Sequence, residues 1–413
     1  MARILFLLSL FLAAVSTSGA DPTPRLVIDL GEAAALPAKE FSETGEGVRQ
    51  VPRAAATLVR IEEGATSPPL HASLRARGGS SLNFPHPTLA LRLKDAEAAP
   101  LPGLPPGRDW VLIAPNPALD RTLLANPFAW EMQRAAGHWS PAWRFADVEV
   151  RWRGGGDRAL RLVVERVDAA RLGIEPLQGD GAHGGWLLQL NRRDPVSVEG
   201  LPPRFFHTPG RNGRSESQPD LHRGGDDEPR HYAAVINFES PDGPDLLPEQ
   251  RAVIESAMAG TERALFAGDV SGLDWNAWAD AWWLNQLCAT PEFAQFNLWV
   301  FRTRAGAPVS CFAAWDFDRA FQGDAQAADA RGPDRFWFAH LNEDAELRNR
   351  LRERWRELRG GPWSDDALEA LLADLASRLD AAALDLAGAE EYDRRMTEWK
   401  AWLLRRAEFL TPQ

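Results

Sequence analysis

Apolar residues recur at every second position through the first part of this chain and at helical spacing through the last part, and few folds satisfy both. The clearest alternation is TLALRLKD (88–95), which puts Leu89, Leu91 and Leu93 on one face of a strand. RLVIDL (25–30), ATLVRIEE (56–63), LHASLRARG (70–78) and DWVLIAP (109–115) read as further strands. ADVEVRW and ALRLVVERV read as a hairpin turning on RGGGD (153–157). DRTLLANPFAWEMQRAAG (120–137) interrupts them with helical spacing, Asp120 at its N-cap and Gly137 past its end. Helices are expected over about 248–267, 273–288, 365–386 and 389–410, with strands at FNLWVFR and leading into WDFD. The last helix carries Met396, Trp399, Leu403 and Leu410 as a packing stripe. The expected class is α+β: a β-rich lobe over about 21–200, a mobile loop over about 201–230, and a mainly helical lobe over about 231–413.

The first twenty residues stand apart. MARILFLLSLFLAAVSTSGA has an early arginine, an apolar run too short to span a bilayer, and small residues before Asp21, the pattern of a signal peptide. An exported protein, periplasmic or extracellular, is expected. No later stretch is apolar for long enough to be an integral membrane segment. A hydrophobic fraction of 45% with seventeen tryptophans implies a substantial core, and a net charge of −12 argues against a nucleic-acid binder. Cys288 and Cys311 form either a disulfide or two buried thiols; sequence leaves both open.

Chemistry concentrates in AAWDFDRAFQG (313–323). Asp316 and Asp318 lie one residue apart among Phe, Ala and Trp, and alternation along a strand would set both opposite Trp315 and Phe317. They would meet a cation, or cap a turn or pair with arginines. Upstream, CATPEFAQFNLWVFR sets Glu292 four residues before Asn297. In protein kinases an Asp-x-x-x-x-Asn segment supplies the base and a metal ligand, and a later aspartate binds the bridging metal. Hard oxygen donors in this order suit Mg²⁺ or Mn²⁺. No phosphate loop, H-E-x-x-H or G-x-S-x-G motif is present.

With these residues in place, the chain resembles the spore-coat protein H (CotH-like) kinase family, a divergent branch of the protein-kinase-like fold. LRARGGSSLNFPHPTLALRL resembles the family's R-x-R-G-x-S-S…F-P-K opening through Arg75, Arg77, Gly78, Ser80, Ser81, Phe84 and Pro85. DWVLIAPNPALDRTLLANPFAWEM is similar to its strand and helix, including Asp120 and Asn126, and LRLVVERVD to its strand ending in Glu165. The resemblance implies ATP and a divalent metal as cofactors, Asp316 and Asn297 as metal ligands with Asp318 completing them, and Glu292 as general base. It also implies that Arg75, Arg77 and the Gly78–Ser81 amides hold phosphate, with Glu165 pairing a cation. Two positions depart from the family: His86 stands where it has lysine, and Glu292 where it has aspartate. Lys94 or Arg92 on the following strand would replace the lysine charge.

The expected function is phosphoryl transfer from ATP to Ser or Thr of a protein substrate. The alternatives are a pseudokinase that binds or scaffolds a partner, and a metal-dependent hydrolase or carbohydrate-binding protein using the same carboxylates.

Overall fold

A computed structural model of the chain describes residues 22–411 apart from 39, 42–47, 50–52, 63, 79, 182, 192–202, 211–233, 292, 294–295 and 327–335. The expected signal peptide, most of the expected loop, and Glu292 therefore lie outside the described residues. Strands come first: β1 (Arg25–Asp29), β2 (Glu40–Phe41), β3 (Val48–Arg49), β4 (Ala54–Glu62), β5 (Ala65–Thr66), β6 (Leu70–Ala76), β7 (Leu89–Leu93) and β8 (Asp109–Ile113). Helix α1 (Ala125–Ala135) precedes the long hairpin of β9 (Trp143–Trp152) and β10 (Gly155–Glu165). Then follow β11 (Trp186–Leu190), β12 (Phe205–His207), β13 (Val235–Ser240), α2 (Pro248–Phe266), α3 (Trp275–Cys288), β14 (Leu298–Arg302) and β15 (Ser310–Phe312). The chain ends in α4 (Phe336–Glu343), α5 (Ala345–Arg359), α6 (Asp365–Ser377), α7 (Ala381–Leu386) and α8 (Tyr392–Leu410). The β-rich half followed by a helical half is the expected α+β order.

The first sheet runs β1-β9-β10-β8-β7-β6-β4-β5, and β1 also pairs with β4, so the ring closes with β5 outside it. β1 is antiparallel to β4 and parallel to β9, with Val27 opposite both Val59 and Glu149. Alternation then fills the barrel: Leu89, Leu91 and Leu93 join Leu26, Ile28, Leu74, Trp110, Leu112 and Val163 in one buried core. The opposite faces of β8 and β10, through Val111, Leu160, Leu162 and Val164, belong to a second core shared with α1, α3, α5, α6 and α8. Residues one apart on β10 thus serve different cores, which fastens the helical half to the barrel wall. A second sheet, β12-β13-β11-β14-β15, lies in the helical half.

Several local expectations change. Helix α1 starts at Ala125 rather than Asp120, because Asp120 turns its carboxylate onto the Thr122 hydroxyl at 2.9 Å and the Ala125 N–H at 2.9 Å. The helix expected over 365–386 is broken, since Asp380 caps α7 by accepting from Ala383 N at 2.7 Å and also holds Thr23 N at 2.8 Å. Phe205–His207, inside the expected loop, pairs with β13. Cys288 and Cys311 are both free and buried, which resolves the open alternative in favour of thiols. Among the described residues no helix is long and apolar enough to cross a membrane.

Candidate functional site

The WDFD stretch is not a strand. β15 stops at Phe312, and Asp316 takes φ 65°, in the left-handed region. The expected strand is absent but the expected separation remains: Phe317 is fully buried while Asp316 is exposed and Asp318 half-buried. Aspartate and asparagine tolerate this conformation better than other non-glycine residues. Asn297, just ahead of β14, has φ 59°. Because β14 and β15 pair antiparallel, with Trp299 opposite Phe312, the two left-handed residues flank the same end of the hairpin. Asn297 Nδ2 donates to Asp316 Oδ2 at 3.1 Å. The remaining amide oxygen and the Asp316 carboxylate are hard oxygen donors side by side, and Asp318 follows two residues along the turn.

The turn is held from several sides. From α1, Asn126 Oδ1 accepts the Phe317 N–H at 3.0 Å, and Trp130 Nε1 donates to Ala314 O at 2.7 Å. From the end of α3, Cys288 O accepts the Phe321 N–H at 2.7 Å. From α8, Trp402 Nε1 donates to Gly323 O at 2.9 Å and the buried Arg406 donates to Ala325 O at 3.3 Å. Trp315 packs between Trp130 and Trp299, with ring centroids at 5.9 and 5.7 Å. A strained backbone fixed by this many contacts is characteristic of functional turns.

The opening block meets this turn from the barrel. Burial pulls the Arg77 guanidinium down to about 10; Arg166 and Arg75 act in the same direction, while Glu239 and Asp316 oppose it. Arg77 thus lies within electrostatic reach of Asp316. Arg75, two residues back on the same outward face, is lowered by burial and then by Arg166 and Arg92. Gly78 has φ 107°, and a Cβ there would sit 2.0 Å from the Ser81 hydroxyl, so only glycine fits the turn as built. Ser81 Oγ in turn donates to Arg77 O at 3.2 Å. Ser80 begins the short 3₁₀ turn Ser80–Asn83; its side chain is outside the described residues.

Two expected site residues are engaged elsewhere. His86 is exposed, with Nδ1 2.6 Å from Asp157 Oδ1, and Asp157 also pairs with the buried Arg161. Glu165 is buried, accepting from Ala142 N at 2.7 Å and pairing with Arg171 Nε at 2.9 Å, so the cation it holds is Arg171. Its neighbour Arg166 faces the site instead, 3.4 Å from Glu239. Arg92 does not replace the lysine, because Asp109 grips it through Nε at 2.7 Å and Nη2 at 3.0 Å. Arg166 escaped the sequence reading since a single arginine after a strand carries no signature; only the contrast with buried Glu165 marks it.

Among the described residues no group of three or more His, Cys, Asp or Glu side chains could hold a metal unaided. No match is found among curated proteins. Residues 74–172, which run from the end of β6 through β10 and include Arg75, Arg77, Gly78, Ser80, Ser81, His86 and Glu165 but not the Asn297–Asp316 turn, match the family model described as CotH kinase protein, so the resemblance to that family holds over this stretch.

Proposed function

We propose that this chain is an exported CotH-like atypical kinase that moves the γ-phosphoryl group of ATP to Ser or Thr of a protein substrate. One observation carries the reading. Asn297 and Asp316, distant in sequence and both in left-handed backbone, meet at 3.1 Å with Arg77 in electrostatic reach. Their donors fit Mg²⁺ or Mn²⁺, which binds through one or two carboxylates together with substrate phosphates rather than in an all-protein cage. Asp316 and Asn297 would hold the ion and Asp318 would orient or complete the set. When bound, the metal supplies neutralising charge for the phosphates.

The protein's own groups do the rest. Arg75 and Arg77 would bind phosphate oxygens as fixed forks, with the amides around Gly78 to Ser81 as further donors. Glu292 takes the proton of the attacking hydroxyl. Because glutamate reaches a methylene further than the family's aspartate, Glu292→Asp is expected to raise transfer and Glu292→Gln to lower it. The test is incubation with labelled ATP and Mg²⁺ or Mn²⁺, following label on the protein itself and on added acceptor. Equal label in all three proteins would remove Glu292 from the role of base; none in any, with nucleotide bound, would favour a pseudokinase. The engagement of His86 with Asp157 is the observation on that second side, since it leaves the family's lysine position without a cation for the site.

A further inference from the structure

The block that joins β6 to β7 is fastened at its neck and, from inside the barrel, along its returning leg. At the neck the Arg77 N–H donates to Thr88 O at 2.8 Å, which closes residues 77–88 into one loop. Leu82, on the 3₁₀ turn of that loop, packs on the barrel core. The other fastening is polar. On β10, Arg161 stands opposite Ala146 and Asp157 opposite Val150, and both partners belong to the barrel core. Opposite residues of an antiparallel pair share a face, so both charges are directed into the barrel. Arg161 is fully buried there. Its Nη2 pairs with Asp157, and its Nη1 donates to Pro87 O at 2.6 Å. The second oxygen of Asp157 faces His86 Nδ1 at 2.6 Å. One interior ion pair thus grips two successive residues of the block.

Packing alone does not explain this pair. Burial pulls the Arg161 guanidinium down and Asp157 pulls it back up, while its Nε finds no acceptor among the described residues. An apolar side chain would fill the space without that cost, so what the arginine adds is its hold on the loop. Among the described residues, the charged groups that face His86 are Asp157 and, behind it, Arg161. Residues 78–87 carry no other titratable side chain, and Gly155 and Gly156 open β10 without one. Arg158 is half in solvent and bound to Asp147 at 2.9 and 2.7 Å. A neutral imidazole holds the Asp157 carboxylate only as the tautomer with its proton on Nδ1. The charged ring donates there in every case and adds an ion pair. The hold on the block therefore strengthens as pH falls through the range in which histidines charge, about 5 to 8, and weakens as pH rises.

We infer that Asp157 and Arg161 are positioning residues for the phosphate-binding block, and that His86 makes their grip on it pH-dependent. The consequence for nucleotide rests on the phosphotransfer reading, in which this block meets phosphate; the grip itself does not. A loop already held loses less freedom when a ligand arrives, so the gripped form binds nucleotide more tightly. Histidine at the family's lysine position then acts on phosphate through Asp157 and the loop, not by touching it.

The test measures ATP–Mn²⁺ affinity and hydrogen exchange of the 77–88 amides at about pH 5.5 and about pH 7.5. It compares the parent protein with His86→Asn and Asp157→Asn, each checked for folding by a melting curve. Taking variant against parent at each pH removes the titration of ATP and the intrinsic pH dependence of exchange. Acidification should tighten binding by the parent about two- to fivefold more than binding by His86→Asn, with residues 77–88 gaining protection in step. His86→Lys, charged at both pH values, should protect 77–88 at both. Asp157→Asn should lose the pH effect although its histidine is intact. If that variant fails to fold because Arg161 loses its anion, Asp157→Asn with Arg161→Met removes both charges and takes its place. Equal pH profiles in the parent and His86→Asn overturn the inference. A pH effect that survives the loss of the Asp157 charge overturns it too, since His86 would then act on phosphate directly. Protection that depends on pH through both residues, with no nucleotide bound at either pH, would keep the grip and remove the phosphotransfer reading.

Discussion

At Asp316 the backbone and the side chain make separate demands, and one substitution tells them apart. Asparagine also accepts φ 65°, so Asp316→Asn keeps the turn while removing the charge. The expected result is loss of Mn²⁺–nucleotide binding with the melting temperature of the metal-free protein nearly unchanged, because Asp316 is exposed and an interaction made at the surface contributes little to stability. Lost stability with metal binding intact would show that the aspartate is a structural fixture. Cys288 and Cys311 offer a second check at this scale. Burial raises both thiols well above the usual range, with Arg406 opposing at Cys288 and Asp274 and Asp280 adding at Cys311. Thiolate is the reactive form, so neither should be alkylated in the native protein and both should be after unfolding. A native adduct on either would contradict the packing.

Helix α1 is the element that sets the site. It offers Asn126 and Trp130 to the turn and buries nearly its whole length. Asn126→Ala strips the Phe317 N–H of its acceptor, at a cost of about 1–3 kcal/mol, and should weaken metal–nucleotide binding along with stability. Asn126→Asp still accepts from that N–H and should retain more of both. A melting curve with a Mn²⁺–nucleotide titration on each variant decides it, and equal behaviour would mean the contact does not hold the turn. How far such an element could be read in advance depended on whether its signal was local. The period-two runs of β7 and the β9–β10 hairpin were legible because each strand buries one face of its own sequence. Helix α5 was missed although Leu347, Leu351, Trp355 and Leu358 form its buried stripe, because arginine and glutamate crowd the positions between. The order of Asn297 before Asp316 was legible. The left-handed turn that joins them was not, since a strand and a turn share the same residues there. Arg166 was invisible for a further reason: its neighbours come from other strands.

Across the molecule, the wall of β8 and β10 serves two interiors at once, so the barrel and the helical half should unfold together. Leu162→Ala removes contacts from the core shared with the helices and should cost about 2–5 kcal/mol. Far-UV dichroism and tryptophan fluorescence should give coincident transitions in the parent and the variant, shifted equally; separated transitions would show that the halves hold independently. The ring closure has a consequence for the history of the chain as well. β1 pairs with β9 as well as with β4, and β9 is made only after the strands from β4 to β8. Its place in the barrel cannot be completed while the chain is still short, and closure is the long-range step that topology makes slow. The first strand of the barrel is the one it must wait to close on, which leaves one edge of β1 open until β9 has been made.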